Sequence, residues 1–290
     1  MLGLNWGCQV AADHEVHLAL HSRQVDVPWA MSKVLPLDSV DEIKAFIEEV
    51  RPTCLIHTAG LTSIELCEKD PALAKLINTD YAINVAAACR DMKVPMVHIS
   101  TDNLFDGTNP MVDETQTINP VNVYGKSKAD AESGILEILD DSIIVRTNFY
   151  GWGPSYKYSF SDTIINSLRS GKTVSLFEDV HYTPILISEL ILAVHLLLES
   201  PQRGIFNICS DQRLSKYEFG IHLANVFNFD ISLIRKNRLS ELKHLVNRPY
   251  DMSMSNKKIC EILGRKIGDI TTHLNTLKQQ EFSNKVRGMH

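Results

Sequence analysis

Tyr124 and Lys128, in the stretch "VYGKSKADAE", stand four residues apart, so on a helix they share one face about a turn from each other. A phenol beside an ammonium is an acid and its tuner. An ordinary tyrosine, with a pKa near ~10, is a poor proton donor at neutral pH, and a neighbouring positive charge favours the phenolate and lowers that value. Upstream, the apolar run that ends in "HISTDNLFDG" closes with Ser100, Thr101 and Asp102. A Thr101 hydroxyl at a strand end can hydrogen-bond the same carbonyl oxygen that Tyr124 protonates, so Thr101, Tyr124 and Lys128 serve one developing oxyanion. Spacing alone also fits a tyrosine and a lysine on an ordinary surface helix. The order, a Ser-Thr strand end followed by Tyr-x-x-x-Lys at a helix start, favours the chemical reading.

The surrounding pattern supplies the elements that must position these side chains. Residues 4–12 suit a short helix, and "EVHLALH" then alternates Val16, Leu18 and Leu20 as a strand does. Val40, Ile43, Phe46, Ile47 and Val50 recur at helical spacing, with Ser39 or Asp38 as a cap and Pro52 as a stop. The runs "TCLIHTAG", "VPMVHIST" and "SIIVRT" read as buried strands, and "PALAKLINTDYAINVAAACRDM" and "VYGKSKADAESGILEIL" read as helices between them. Apolar strands alternating with amphipathic helices predict an α/β fold, a doubly wound parallel sheet covered on both faces, over residues 1–148. After Arg146 the composition turns aromatic and turn-rich, which predicts a second, smaller α/β domain over 149–280. Within it, 184–208 suits a helix and strand returning to the first sheet, and 281–290 is a polar tail.

Bulk properties narrow the function. The chain has 290 residues, 44% of them hydrophobic, and a net charge of -6, which argues against a phosphate-tracking nucleic-acid binder. The longest apolar window, "PILISELILAVHLLLES", contains Glu189 and His195 and reads as a packed helix, so no membrane partner is expected. Its six cysteines form no Cys-x-x-Cys pair, and with no secretory leader pattern they read as free thiols of a cytoplasmic protein. His14, His17 and His21 cluster without a completing carboxylate or thiolate, so no metal site is expected. Asp113 and Glu114 read as solvated loop charges.

"STDNLFDG", "NPVNVYGKSKADAE", "RTNFYGWG" and "NRPYDMSMSNKKICEILG" together resemble the extended short-chain dehydrogenases, and among them the dTDP-4-dehydrorhamnose reductases. The resemblance implies a nicotinamide cofactor and a nucleotide-sugar substrate whose C4 carbonyl is reduced. It makes Tyr124 the proton donor, Lys128 the residue that holds the nicotinamide ribose and lowers the tyrosine pKa, and Thr101 the residue that orients the keto group. Thr58, Ala59 and Gly60 match the family's loop along the cofactor, Ser100 lies beside it, and Asp38 matches the acid that meets the adenine. Asp102 and Asn148 fall near the sugar; the Asn148 amide either contacts a sugar hydroxyl or closes the strand-end turn. Arg248 either approaches the diphosphate or caps a loop before Pro249. "FEDVHYTP" resembles the substrate-facing loop. Asn103 replaces an aromatic and the "RTNFYGWG" stretch lacks a usual tryptophan, which leaves the identity of the sugar open. A homodimer is compatible with the resemblance.

Ser22 and Arg23, with no acid before Asp26, follow the strand that meets the adenine ribose. An acid there selects a free 2'-hydroxyl and an arginine accommodates a 2'-phosphate, so NADPH is expected, with NADH as the alternative. Gly3 fits the third glycine of the family's phosphate loop, which places the loop's first two glycines and the first strand ahead of Met1. That central strand's absence predicts two unpaired strand edges and weak cofactor binding. The alternative is a genuine start followed by an N-terminal helix. Two other functions share the fold: an epimerase or dehydratase that holds NAD tightly, and a noncatalytic regulatory subunit.

Overall fold

Helices and strands alternate from the first residues, in a computed structural model that describes residues 1–21, 24–242 and 245–283. Ser22, Arg23 and the tail from 284 onward lie outside the described residues. The chain runs through α1 (Leu2–Val10), β1 (His17–Leu20), β2 (Met31–Val34), α2 (Val40–Val50) and β3 (Leu55–His57). It continues through α3 (Ile64–Lys69), α4 (Pro71–Lys75), a π-helical turn (Leu76–Asp80), α5 (Tyr81–Met92), β4 (Met96–Ile99), α6 (Val123–Ile138) and β5 (Ile143–Arg146).

β10 (Gly204–Asn207), β5, β4 and β3 form one four-stranded parallel sheet in that order. Every residue of β4 and β5 is buried, the mark of a parallel sheet covered on both faces. Their side chains alternate. Val97, Ile99, Ile143 and Val145 pack with Leu2 and Trp6 of α1, whereas Met96 and Ile144 pack with Ile43, Ile47, Val85, Ala131 and Ile135 of α2, α5 and α6. β1 and β2 pair in parallel with each other alone. Among the described residues no ladder joins that pair to the larger sheet, so β3 ends it with a free edge. The fold is α/β and Rossmann-like, with its parallel strands divided into two ladders.

Past β5 come β6 (Phe149–Tyr150), α7 (Phe160–Arg169), β7 (Val174–Phe177), β8 (His181–Tyr182), β9 (Ile185–Leu186) and α8 (Ile187–Leu198). β10 (Gly204–Asn207) then enters the main sheet beside β5, and α8 packs Leu190, Ile191, Val194 and Leu197 on the α1 face. β11 (Leu214–Ser215), α9 (Lys216–Phe227), β12 (Ile234–Asn237), α10 (Lys257–Leu263) and α11 (Ile270–Gln279) complete the order. Tyr150, Trp152, Ile164, Phe219, Leu223 and Leu274 are central to a separate core of this later half. None of the helices among the described residues is long and apolar enough to cross a membrane.

The stretch read as one helix over 71–92 is interrupted. Asp70 caps α4 by accepting from Leu73 N, and the helix then widens at Leu76–Asp80 before α5 begins. Asn78 within the wide turn reaches a distant loop and α6, contacts that local spacing does not encode.

α6 is fastened to the sheet by buried charge. Arg146, at the end of β5, donates to Glu132 of α6 at 2.7 and 3.1 Å, and both side chains are 2% exposed. Ser100 donates to the same carboxylate at 2.5 Å. Removing one partner of such a pair leaves an uncompensated charge in the core. Arg146→Met should lower the unfolding free energy by about 3–5 kcal/mol in urea titration, and Glu132→Leu added to it should recover much of the loss. Equal losses in the single and double variants would contradict this account.

Candidate active site

The start of α6 is set by close contacts. Asn122 caps the helix by accepting from Gly125 N at 2.8 Å, and its amide donates to the Asn247 carbonyl at 3.0 Å. A Cβ on Gly125 would lie 2.2 Å from the Asn103 carbonyl, so only glycine lets the chain after β4 cross this turn. That crossing brings the Thr101 hydroxyl near the Tyr124 phenol. The Tyr124 phenol is pushed up to about 12 by burial, with the Thr101 hydrogen bond pulling it down and the Asp102 carboxylate pushing it up. It is therefore fully protonated at neutral pH.

Lys128 is buried on the same helix. Its ammonium donates to the Ile99 carbonyl at 2.8 Å and lies 2.9 Å from His98 Nε2. The His98 ring stacks on His57 with centroids 5.3 Å apart. Burial first, and then the Lys128 charge, hold His98 well below its ordinary range and His57 down to about 3, so both rings are neutral and His98 accepts from the ammonium. Burial also pulls Lys128 down to about 8, with Glu132 pulling it up. The expectation that Lys128 lowers the Tyr124 pKa is corrected here: its ammonium is engaged by Ile99 and His98, and burial decides the tyrosine.

Beside Thr101, the buried Asp102 carboxylate accepts from Asn148 at 2.6 Å and from the Asn103 side chain at 2.8 Å. Burial raises its pKa while Lys216, Asn148 and Asn103 lower it. Asn148 thus meets Asp102, and Asn103 bonds both Asp102 and Thr101.

The residues expected along a cofactor are distributed as follows. Gly3, in the first turn of α1, abuts the loop after β3, where a Cβ on it would lie 3.0 Å from Thr58 Oγ1. No side chain caps the α1 N-terminus. Thr58 and Ala59 are half-buried, Gly60 is exposed, and Asp38 is exposed just before the α2 cap Ser39. The Ser100 hydroxyl donates to Glu132, which leaves its oxygen lone pairs as acceptors. Ser22 and Arg23, read as the 2'-phosphate site, lie outside the described residues. Arg248 pairs with Glu65 of α3. Glu114, read as solvated, accepts from Asn207 N at 2.8 Å. Among the described residues no cluster of His, Cys, Asp and Glu could hold a metal, and all six cysteines are free.

Asn78 was missed by sequence reasoning. Its buried amide accepts from Leu61 N at 2.7 Å and donates to the Leu61 carbonyl at 3.1 Å and to Ser127 at 2.9 Å, tying the loop after Gly60 to α6. An asparagine inside an apolar helical run was the available signal.

Residues 3–282 match the family model described as "RmlD substrate binding domain". A probable low-salt glycan biosynthesis reductase of Haloferax volcanii is 27% identical over 240 residues, covering 81% of this chain and 80% of its own. A dTDP-4-keto-6-deoxy-D-glucose reductase of Streptomyces niveus is 30% identical over 205 residues, covering 69% and 70%. The crystal structure of a dTDP-4-dehydrorhamnose reductase of Bacillus anthracis in complex with NADP aligns with a TM-score of 0.80 at 24% identity, over 87% of this chain and 90% of that one, and shows the shared fold.

Asn78→Ala removes both partners of the Leu61 backbone. The cost should be about 1–3 kcal/mol of stability, with amide exchange of residues 58–61 quickened relative to β4 and β5. Exchange raised equally throughout would deny Asn78 this local role.

Proposed function

The chain belongs to the RmlD substrate-binding family, and on that premise we propose that it is an NADPH-dependent reductase of a nucleotide-linked 4-keto-6-deoxysugar, working in deoxysugar and surface-polysaccharide synthesis. The observation that carries the reading is the approach of Thr101 to Tyr124 at the start of α6, with Lys128 one turn on. The reductase names borne by the Haloferax and Streptomyces relatives support it.

The residues near α1 fit a dinucleotide. The uncapped α1 N-terminus offers backbone N–H groups to a pyrophosphate, and the absence of a side chain at Gly3 keeps the approach to Thr58 open. Thr58, Ala59 and Gly60 line that approach, and Lys128 holds the nicotinamide ribose. Ser22 and Arg23 receive a 2'-phosphate, which sets the preference for NADPH over NADH. When bound, the cofactor supplies the hydride that the sugar C4 accepts.

The chain's own groups do the rest. Thr101 orients the C4 carbonyl, and Tyr124, protonated at neutral pH, donates its proton to the carbonyl oxygen. Asn148 and Asp102 face the sugar, and Arg248 takes a diphosphate through its fork of donors.

Tyr124→Phe keeps the ring and removes the proton. Its turnover with a 4-keto nucleotide sugar should fall roughly a hundredfold or more while NADPH affinity stays near that of the wild type; an unchanged rate removes Tyr124 from the acid role.

Lys128 adds a pH dependence. Its folded pKa is pulled down to about 8, so the ammonium is present below that value and lost as pH rises through it. NADPH affinity, followed by fluorescence titration, should weaken above pH about 8. Lys128→Arg should flatten the curve, because a guanidinium keeps its charge. A wild-type affinity level across this range contradicts the ribose-holding role.

A further inference from the structure

His57 and His98 are direct partners in the β3–β4 ladder, so their side chains leave the sheet on the same face. Their rings stack with 5.3 Å between centroids and 16° between planes. His98 is fully buried, and only its Nε2 finds a hydrogen-bond partner among the described residues, the Lys128 ammonium at 2.9 Å. Nδ1 carries the ring proton when Nε2 accepts, and it bonds no described group. Buried polar atoms are ordinarily satisfied, so a histidine kept here for packing alone would carry a cost that an apolar side chain avoids. The one polar contact the ring makes is to Lys128, and no step derived above depends on it.

A lysine ammonium has three N–H donors and no acceptor. Two of the three go to the Ile99 carbonyl at 2.8 Å and to His98 Nε2 at 2.9 Å, acceptors supplied by successive residues of β4. A single bond leaves an ammonium free to pivot; a second removes the pivot and sets the direction of the remaining N–H. Ser100 and Thr101 follow β4 directly, so one strand places both the ammonium and the Thr101 hydroxyl. Ordering a long flexible side chain at the moment of binding costs affinity, and here the folded chain has already ordered it.

The charged and titratable groups around the ammonium come from four elements. Glu132 lies further along α6 and Tyr124 one turn before, Arg146 of β5 stands behind the Glu132 carboxylate, and the neutral rings belong to His98 of β4 and His57 of β3. Glu132 is already engaged by Arg146 and Ser100. His98 is therefore the side-chain acceptor, among the described residues, in contact with the ammonium.

We propose that His98 is a positioning residue for Lys128: its ring, steadied by the His57 stack, keeps the ammonium charged and aims the remaining N–H at the nicotinamide ribose. The inference rests on the reductase reading above, which gives Lys128 the ribose, and deepens it. A neutral imidazole suits the task because it presents one acceptor in the ring plane and no donor at that nitrogen.

The test reads Lys128 directly. Lysine labelled with 13C at Cε reports the charge of each ammonium by NMR, and the signal missing from Lys128→Met identifies the residue. Its titration is followed in wild type, His98→Phe and His98→Gln. Phenylalanine keeps a ring against His57 and removes the acceptor, whereas glutamine returns an acceptor oxygen. Losing the acceptor disfavours the charged form, so His98→Phe should titrate about one pH unit below wild type and His98→Gln within about 0.3 of a pH unit of it. At about pH 6, where the ammonium is charged in all three, NADPH affinity should fall about fivefold in His98→Phe and stay within about twofold in His98→Gln. A midpoint unmoved by phenylalanine, equal affinity losses in the two variants, or no loss in either overturns the proposal. His98→Met, whose flexible side chain fills irregular gaps, takes the place of the phenylalanine variant if that one does not fold. NADPH-dependent reduction of dTDP-4-keto-6-deoxy-D-glucose by wild type judges the parent reading separately. Turnover with an unmoved Lys128 midpoint defeats the role of His98 and spares the reductase; the expected midpoint and affinity changes without turnover do the reverse.

Discussion

Glu132 of α6 and Arg146 of β5 face each other with almost no exposure, and the helix that carries Tyr124 and Lys128 is held to the sheet through them. A buried pair of this kind is poor evidence for net stability, since taking two charges out of water costs nearly what their attraction returns. Its value is positional. The carboxylate accepts from Arg146 and Ser100 together, so the ends of β4 and β5 and one face of α6 keep a fixed relation. Thr101 follows Ser100 directly and Tyr124 lies two turns before Glu132, so the geometry of the acid site descends from that anchor. The Phe105 ring, 5.6 Å from the Arg146 guanidinium, covers it from the loop that follows.

Burial then distributes the protons. The same desolvation that raises the Tyr124 pKa keeps His57 and His98 neutral and weakens the Lys128 ammonium. A neutral imidazole can accept from Lys128 where a charged one would repel it. The result is a single positive charge under the start of α6, beside an acid that holds its proton. Carbonyl reduction needs that combination, a proton to give and a positive field for the alkoxide that receives it.

Much of this was legible because it is local. The Ser39 cap of α2, the buried runs that became β4 and β5, and the placement of Tyr124 and Lys128 on α6 follow from period and capping chemistry within one element. Direction was less legible. A serine ending a strand can face the cofactor or the helix behind it, and Ser100 faces Glu132 because Arg146 brings a second donor there. Lys128 was read beside Tyr124, whereas a carbonyl and a neutral histidine from β4 hold its ammonium. Features made by distant segments left little trace. The wide turn at Leu76–Asp80 follows the reach of Asn78 to Leu61 and Ser127, and Arg248 meets Glu65 from the other end of the chain.

Net consumption of cofactor is the property that separates a reductase from an epimerase or dehydratase on the same fold, and from a subunit that binds without turnover. The decisive measurement incubates the protein with a panel of 4-keto-6-deoxy nucleotide sugars and NADPH and compares NADPH oxidised with ketone consumed. A reductase loses one NADPH for each ketone reduced to an alcohol, and that ratio is the expected result. Conversion of the sugar with no loss of NADPH, or NADPH bound with no sugar in the panel converted, would contradict it.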